Sequence, residues 1–132
     1  MEIKDINGET RIKFSAFKKQ YEGEPIFIDL SVEIYLDNSL AKESITIELS
    51  DLASFLKNLE ILNGELKQTF YFQHSDQRIE IKFEPLTTGN IKVSGFLRDI
   101  LYANSLNFSF EMPPSNLPNL IRNCENLVDV LR

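Results

Sequence analysis

Asp29 and Glu33 are the carboxylates whose spacing comes nearest to paired acid–base chemistry, because both fall on one side of an alternating segment. Four residues along an extended strand set them ~13 Å apart. Glycoside hydrolysis needs its two carboxylates about 5–9.5 Å apart, in a cleft and with unequal proton affinities. The pair therefore reads as surface charge rather than as a catalytic couple. His74 beside Asp76 could open a metal site or a Ser-His-Asp relay. A metal needs three or four ligands, and the chain has no second His and no Cys near this one. A relay would have to recruit Ser75 or a distant serine with no nucleophile motif around it. Both residues suit a turn in which Asp76 bonds its own backbone. Cys124, the sole cysteine, falls on an apolar helical stripe and reads as a small buried hydrophobe. Ten Phe and four Tyr raise the idea of stacking platforms for single-stranded nucleic acid, but such platforms come with basic grooves. Phe14, Phe55, Phe83, Phe108 and Phe110 fit core positions instead. No catalytic residue, metal ligand or cofactor site is expected, and the chain reads as a non-enzyme.

Charge narrows the partners. Twenty acids against fourteen bases give a net −6, which counts against nucleic acid, whose binders neutralise phosphates with Lys and Arg. The charge is uneven: Glu22 to Glu60 carries nine acids against Lys42 and Lys57, whereas Met1 to Tyr21 carries three acids and five bases. A solvated, solubilising face is the ordinary reading; a surface that steers a basic partner is the functional one. Phe27, Asp29, Glu33 and Tyr35 lie together on the polar side of one strand within the acidic segment, with Ser31 between them. Aromatic anchors beside charges are what binding hot spots look like, so these four are the candidate partner-binding residues.

The elements that must position them follow from periodicity. Arg11 to Phe17 alternates, with Ile12, Phe14 and Ala16 on one side. Phe27 to Leu36 alternates most clearly, with Ile28, Leu30, Val32, Ile34 and Leu36 on the apolar face. A two-residue turn at Asn38-Ser39 would set Val32 opposite Ile45, Leu30 opposite Ile47 and Ile28 opposite Leu49. A one-residue slip would turn the apolar set into water, while a two-residue shift keeps the faces and stays open. Ser50 is placed to cap a helix carrying Leu52, Phe55, Leu56, Leu59 and Leu62, stopped at Asn63-Gly64. Thr69–His74 and Ile79–Glu84 read as a hairpin around Ser75-Asp76-Gln77, followed by strands at Ile91–Leu97 and Leu106–Met112. Gly95 inside a strand marks a bulge or tight bend. Pro113-Pro114 ends the strands, and Leu117, Leu120, Ile121, Cys124, Leu127, Val128 and Leu131 form a last helical stripe.

Links this short exclude parallel crossovers. The expectation is one α+β domain over residues 1–132, mainly antiparallel sheet of six to seven strands, with a helix after the third strand and a C-terminal amphipathic helix. No internal repeat is visible. The charged start, Met1-Glu2-Ile3-Lys4-Asp5, lacks the apolar stretch of a secretory signal. No run approaches the ~18 apolar residues of a membrane span. A cytoplasmic protein without a membrane partner, monomeric or homodimeric, is expected.

Gly89-Asn90-Ile91-Lys92-Val93-Ser94-Gly95-Phe96-Leu97-Arg98-Asp99 precedes Ser105-Leu106-Asn107-Phe108-Ser109-Phe110-Glu111, and the helix Leu52–Leu59 lies upstream, ending at Gly64. From Phe27 to Met112 this order resembles the WapI-like group of small bacterial immunity proteins. The resemblance implies a cytoplasmic, non-enzymatic protein that neutralises a cognate contact-dependent toxin in the cell that makes it. It carries over no toxin-contacting residue. A stable scaffold with an acidic surface suits such a role, because nuclease toxins are basic. The alternative is a small-ligand or carbohydrate-binding β-rich domain that uses exposed Tyr and Phe on a concave sheet face.

Overall fold

Alternating apolar residues bury one face of a strand, and two such sheets can bury those faces together. The computed structural model describes residues 1–20 and 22–132. Its strands are β1 (Glu2–Lys4), β2 (Thr10–Lys19), β3 (Phe27–Tyr35) and β4 (Leu40–Glu48), followed by helix α1 (Leu49–Gly64). Then come β5 (Phe70–Gln73), β6 (Ile79–Pro85), β7 (Ile91–Arg98) and β8 (Ser105–Met112), a 3-10 turn at Pro114–Asn116, and helix α2 (Leu117–Leu131). The strands form two antiparallel sheets in the orders β1-β2-β3-β4 and β5-β6-β7-β8. The α+β class is as expected, with eight strands among the described residues rather than six or seven. The additional strand among those described is β1, too short to show a period, so the first helix follows the fourth strand. Each half is a four-stranded meander closed by a helix, a repeat of architecture that the residues themselves do not display.

Both sheets and both helices feed one contiguous hydrophobic core. Phe55 of α1 sits at its centre, with ring centroids 5.1 Å from Phe72 and 5.6 Å from Phe83. Phe14 of the first sheet meets Phe72 of the second edge-on at 5.8 Å. The stripe of α2 is spent on this core too, with Leu117, Leu120, Cys124, Val128 and Leu131 all buried. Burial pushes the Cys124 thiol up to about 12, and its Sγ donates weakly to the Leu52 carbonyl at 3.7 Å.

Three local readings change. The β3–β4 turn lies one residue earlier than expected, at Asp37-Asn38, closed by Leu36 N–H donating to Ser39 C=O at 2.8 Å. The ladder is therefore shifted by two, with Leu30 opposite Ile45 and Ile28 opposite Ile47. Charge explains the choice. The other register would have set Asp29 against Glu48, whereas this one sets Asp29 against Thr46 and Glu33 against Lys42. The N-cap of α1 is Glu48 rather than Ser50, in a capping box where Glu48 N–H donates to Asp51 Oδ2 at 2.8 Å. Ala16 is exposed with φ 55°. The register slips between Ser15 and Lys18, leaving Ala16 and Phe17 opposite Leu30, so the bulge turns Ala16 outward and packs Phe17 against the core.

One buried charged group ties the two meanders together and a second braces the first meander. Arg78, at the start of β6, donates to Glu43 Oε2 at 3.2 Å and to the Ser44 carbonyl at 2.8 Å, linking the sheets. Asp5 accepts from Asn7 N–H at 2.9 Å, Glu9 N–H at 3.0 Å and Arg11 Nε at 2.7 Å. Arg11 reaches on to Asp37 at 3.0 Å. Burial pushes the Asp5 carboxyl up, but the Arg11 and backbone hydrogen bonds outweigh it and hold the group below its usual value. A depressed folded-state value contributes stability above the ordinary carboxylate pKa and loses it as pH falls through the folded one. Asp5→Asn should therefore destabilise by about 1.5–3 kcal/mol at pH 7, the range for a hydrogen bond to a charged group. In urea unfolding between pH 7 and pH 2 the variant and the parent should converge at the acid end. A difference that stays constant with pH would sink the assignment.

Candidate functional site

The outward side of β3 carries Phe27, Asp29, Ser31, Glu33 and Tyr35, all half-buried by neighbouring strands. Register then decides what surrounds them. Asp29 lies between Lys18 of β2 and Thr46 of β4, and Glu33 between Lys13 and Lys42. Ser31 lies between Ser15 and Ser44, so a row of small side chains separates the two carboxylate rows. Phe27 pairs with Glu48 at one end and Tyr35 with Leu40 at the other. The structure thus brings the four predicted residues onto one face. It also interleaves their negative charge with lysines from the flanking strands.

Both carboxylates and the Tyr35 hydroxyl on this face are engaged, while the Ser31 hydroxyl between them is buried without a hydrogen-bond partner among the described residues. Thr46 Oγ1 donates to Asp29 Oδ1 at 2.6 Å, and the Tyr35 hydroxyl donates to Glu33 Oε2. Lys42 Nζ stands 3.6 Å from Glu33 Oε1. The Tyr35 hydrogen bond, helped by Lys42 and Lys13, holds the Glu33 carboxyl below its usual value against the effect of desolvation. The same bond raises Tyr35. Glu33 is therefore a fixed anion at neutral pH, the wrong state for a general acid. What this face can do chemically is present oriented anions, hydroxyls and aromatic edges to a partner.

His74 takes the turn position expected of it, its carbonyl accepting from Gln77 N–H at 3.0 Å, and adds a contact not expected. Its Nδ1 lies 2.6 Å from Asp51 Oδ2, so its partner is 23 positions away rather than at Asp76. Asp76 instead accepts from Arg78 N–H at 3.1 Å, the turn role foreseen for it. Asp51 serves twice, capping α1 and holding the end of β5. His74 lines a polar recess of ≈ 270 Å³ with Gln73, Gln77, Glu80, Phe96 and Arg98. The Arg98 guanidinium stacks over the Phe96 ring at 4.3 Å. An Asp–His pair orients an imidazole for base catalysis only when a nucleophile stands on its far side, and no Ser, Thr or Cys lines this recess. Among the described residues, no group of three His, Cys, Asp or Glu could hold a metal ion.

Sequence reasoning missed the Asp51–His74 contact, the Glu43–Arg78 pair and the exposed run Ile100-Leu101-Tyr102. The first two join residues far apart in the chain and carry no local signal. The third had one: three consecutive large apolar residues between two strands, where a turn is ordinarily polar.

Comparison with known proteins places the chain. The model of a family described as the immunity protein WapI-like family matches residues 3–131. No curated protein matches it in sequence. Among solved structures, the chain is similar to one described as the plant transcriptional regulator PBF-2, with a TM-score of 0.52 and 12% identity. That match covers 92% of this chain and 75% of the other. At that identity the likeness concerns the fold alone. No helix among the described residues is long and apolar enough to cross a membrane.

Proposed function

The chain belongs to the immunity protein WapI-like family, and from that premise we propose that it neutralises a cognate protein toxin by binding it, without catalysis. The family match over residues 3–131 carries this reading. Binding takes place in the cytoplasm of the producing cell, and the partner is basic. The outward face of β3 contributes Phe27, Asp29, Glu33 and Tyr35 to the contact. Glu33 is held ionised by the Tyr35 hydrogen bond and Asp29 is oriented by Thr46 before the partner arrives, which suits electrostatic steering. The net −6 of the chain supports the same direction of attraction.

The test is association of the full chain with the inactivated C-terminal domain of any large protein whose gene adjoins its own. Asp29→Lys with Glu33→Lys should slow association about tenfold or more at low salt and flatten its salt dependence. Thermal unfolding of the variant, expected to match the parent's, checks that the fold survives. Unchanged association at low salt would remove this face from the interface, and no binding by the parent chain would overturn the toxin reading itself.

A further inference from the structure

Between β7 and β8 the chain exposes Ile100, Leu101 and Tyr102 at 72, 80 and 51% of their full accessibility. Isolated apolar residues on a surface need no explanation, but three in succession at one loop tip do. The loop beneath them is tightly bonded. Asp99 N–H donates to Asn104 C=O and Tyr102 N–H to Asp99 C=O, both at 3.1 Å. The Asp99 carboxylate accepts from Ala103 N–H at 3.0 Å and Asn104 Nδ2 at 2.9 Å. Tyr102 adopts φ 57°, and its hydroxyl donates to the Asp76 carbonyl, fastening the loop to the β5–β6 turn. The order that binding would otherwise have to impose is already in place.

The surroundings extend this tip into a surface. Asp99, Asn104 and Leu106 share a shallow recess of ≈ 220 Å³ with Ala41 and Glu43 on β4. β4 is the edge of its sheet, and its first residue, Leu40, is 56% exposed and stands opposite Tyr35. The tip is therefore continuous, around the β4 edge, with the Glu33–Tyr35 end of the β3 face.

We propose that Ile100 and Leu101 form the apolar anchor of the toxin interface, inserted into a concave apolar pocket on the toxin domain. This rests on the toxin-binding reading above. Two rival occupants fit less well. The three side chains offer roughly 400 Å², about half of the ~800 Å² per partner in a stable interface, so a symmetric dimer through the tip alone is undersized. An anionic membrane surface would meet a chain of net charge −6 with Asp76 and Asp99 beside the tip. A heterologous protein can draw the remaining area from the β4 edge and the β3 face.

The experiment uses the full chain and the same inactivated toxin domain. Ile100→Ser with Leu101→Ser should raise Kd about 100-fold or more, as expected for two hot-spot side chains. Tyr102 is kept because it fastens the loop. Leu101→Lys alone, at the most exposed position, serves if the double variant unfolds, and should raise Kd at least tenfold. A parent chain that binds while both variants bind equally well overturns the anchor and leaves the toxin reading standing. A parent chain that does not bind the domain overturns both. Tip-dependent self-association in sedimentation, or tip-dependent binding to phosphatidylglycerol-containing vesicles, in place of toxin binding would reassign the surface.

Discussion

Gly95→Ala is expected to abolish the native fold, although it adds a single methyl group to a half-buried position. Gly95 lies in β7 between two partners, opposite Ile81 of β6 and Phe108 of β8. A Cβ at this position would sit 1.8 Å from the Glu80 carbonyl oxygen and 2.8 Å from its carbon. These are backbone atoms of a paired strand, so they cannot swing aside as a flexible side chain would. Relief requires moving β6 or β7 and breaking ladder hydrogen bonds on both sides. A loss above about 4 kcal/mol follows, against a total stability of about 5–15 kcal/mol for a domain of this kind. Gly64→Ala at the end of α1 is the control, because a Cβ there meets nothing within 4 Å. The expected result is an unfolded or aggregated Gly95→Ala chain beside a Gly64→Ala chain with a urea midpoint near the parent's. Gly95→Ala within about 1 kcal/mol of the parent would refute the close-approach account.

Gly95 also shows where sequence reading stops. A glycine inside an alternating strand announces that something unusual happens there, and a bulge or a bend is the ordinary expectation. The β6–β7 and β7–β8 pairings run through it without a slip, and the cause is the approach of the Glu80 carbonyl. That contact joins two strands and is invisible along one. The same limit governs the β3–β4 ladder. Ile28, Leu30, Val32 and Ile34 identify the buried face from alternation alone, but a two-residue shift preserves that face. The charges opposite Asp29 and Glu33 change with the shift, and they decide it. The candidate surface was legible in the same partial way. Its four residues could be grouped on one face from parity. The lysines beside them, the Tyr35–Glu33 bond and the role of Asp51 in holding His74 depend on neighbours supplied by other strands. β1 left no trace because three residues do not make a period. The Ile100-Leu101-Tyr102 tip does carry a local signal, three large apolar residues in succession where a loop is ordinarily polar.

Removing α2 should unfold the chain. The amphipathic stripe read from Leu117 to Leu131 has two physical destinations, the core of its own chain or a matching face on a second copy. In the structure it takes the first. Leu117 is fully buried, Leu120 is 3% exposed and Val128 is 2% exposed, and Cys124 reaches the Leu52 carbonyl of α1. Burial of a large aliphatic side chain contributes about 1.5–3 kcal/mol, so Leu117, Leu120, Val128 and Leu131 together supply roughly 6–12 kcal/mol. That is comparable with the whole stability of a typical domain. A chain ending at Asn116 would also strip α1 of the helix packed against it. It should bind a hydrophobic dye, lose cooperative urea unfolding and aggregate at micromolar concentration. Point substitutions separate loss of packing from loss of chain length. Leu120→Ala should lower stability by about 2–5 kcal/mol, and Val130→Ala, on a side chain 79% exposed, by less than about 0.5 kcal/mol. A 1–116 chain that stayed monomeric and soluble with the parent's urea midpoint would show that α2 is an accessory. Dissociation of a full-length dimer by Leu120→Ala, with the monomer still folded, would instead send the stripe to a second copy. The apolar burial of α2 within its own chain requires neither result.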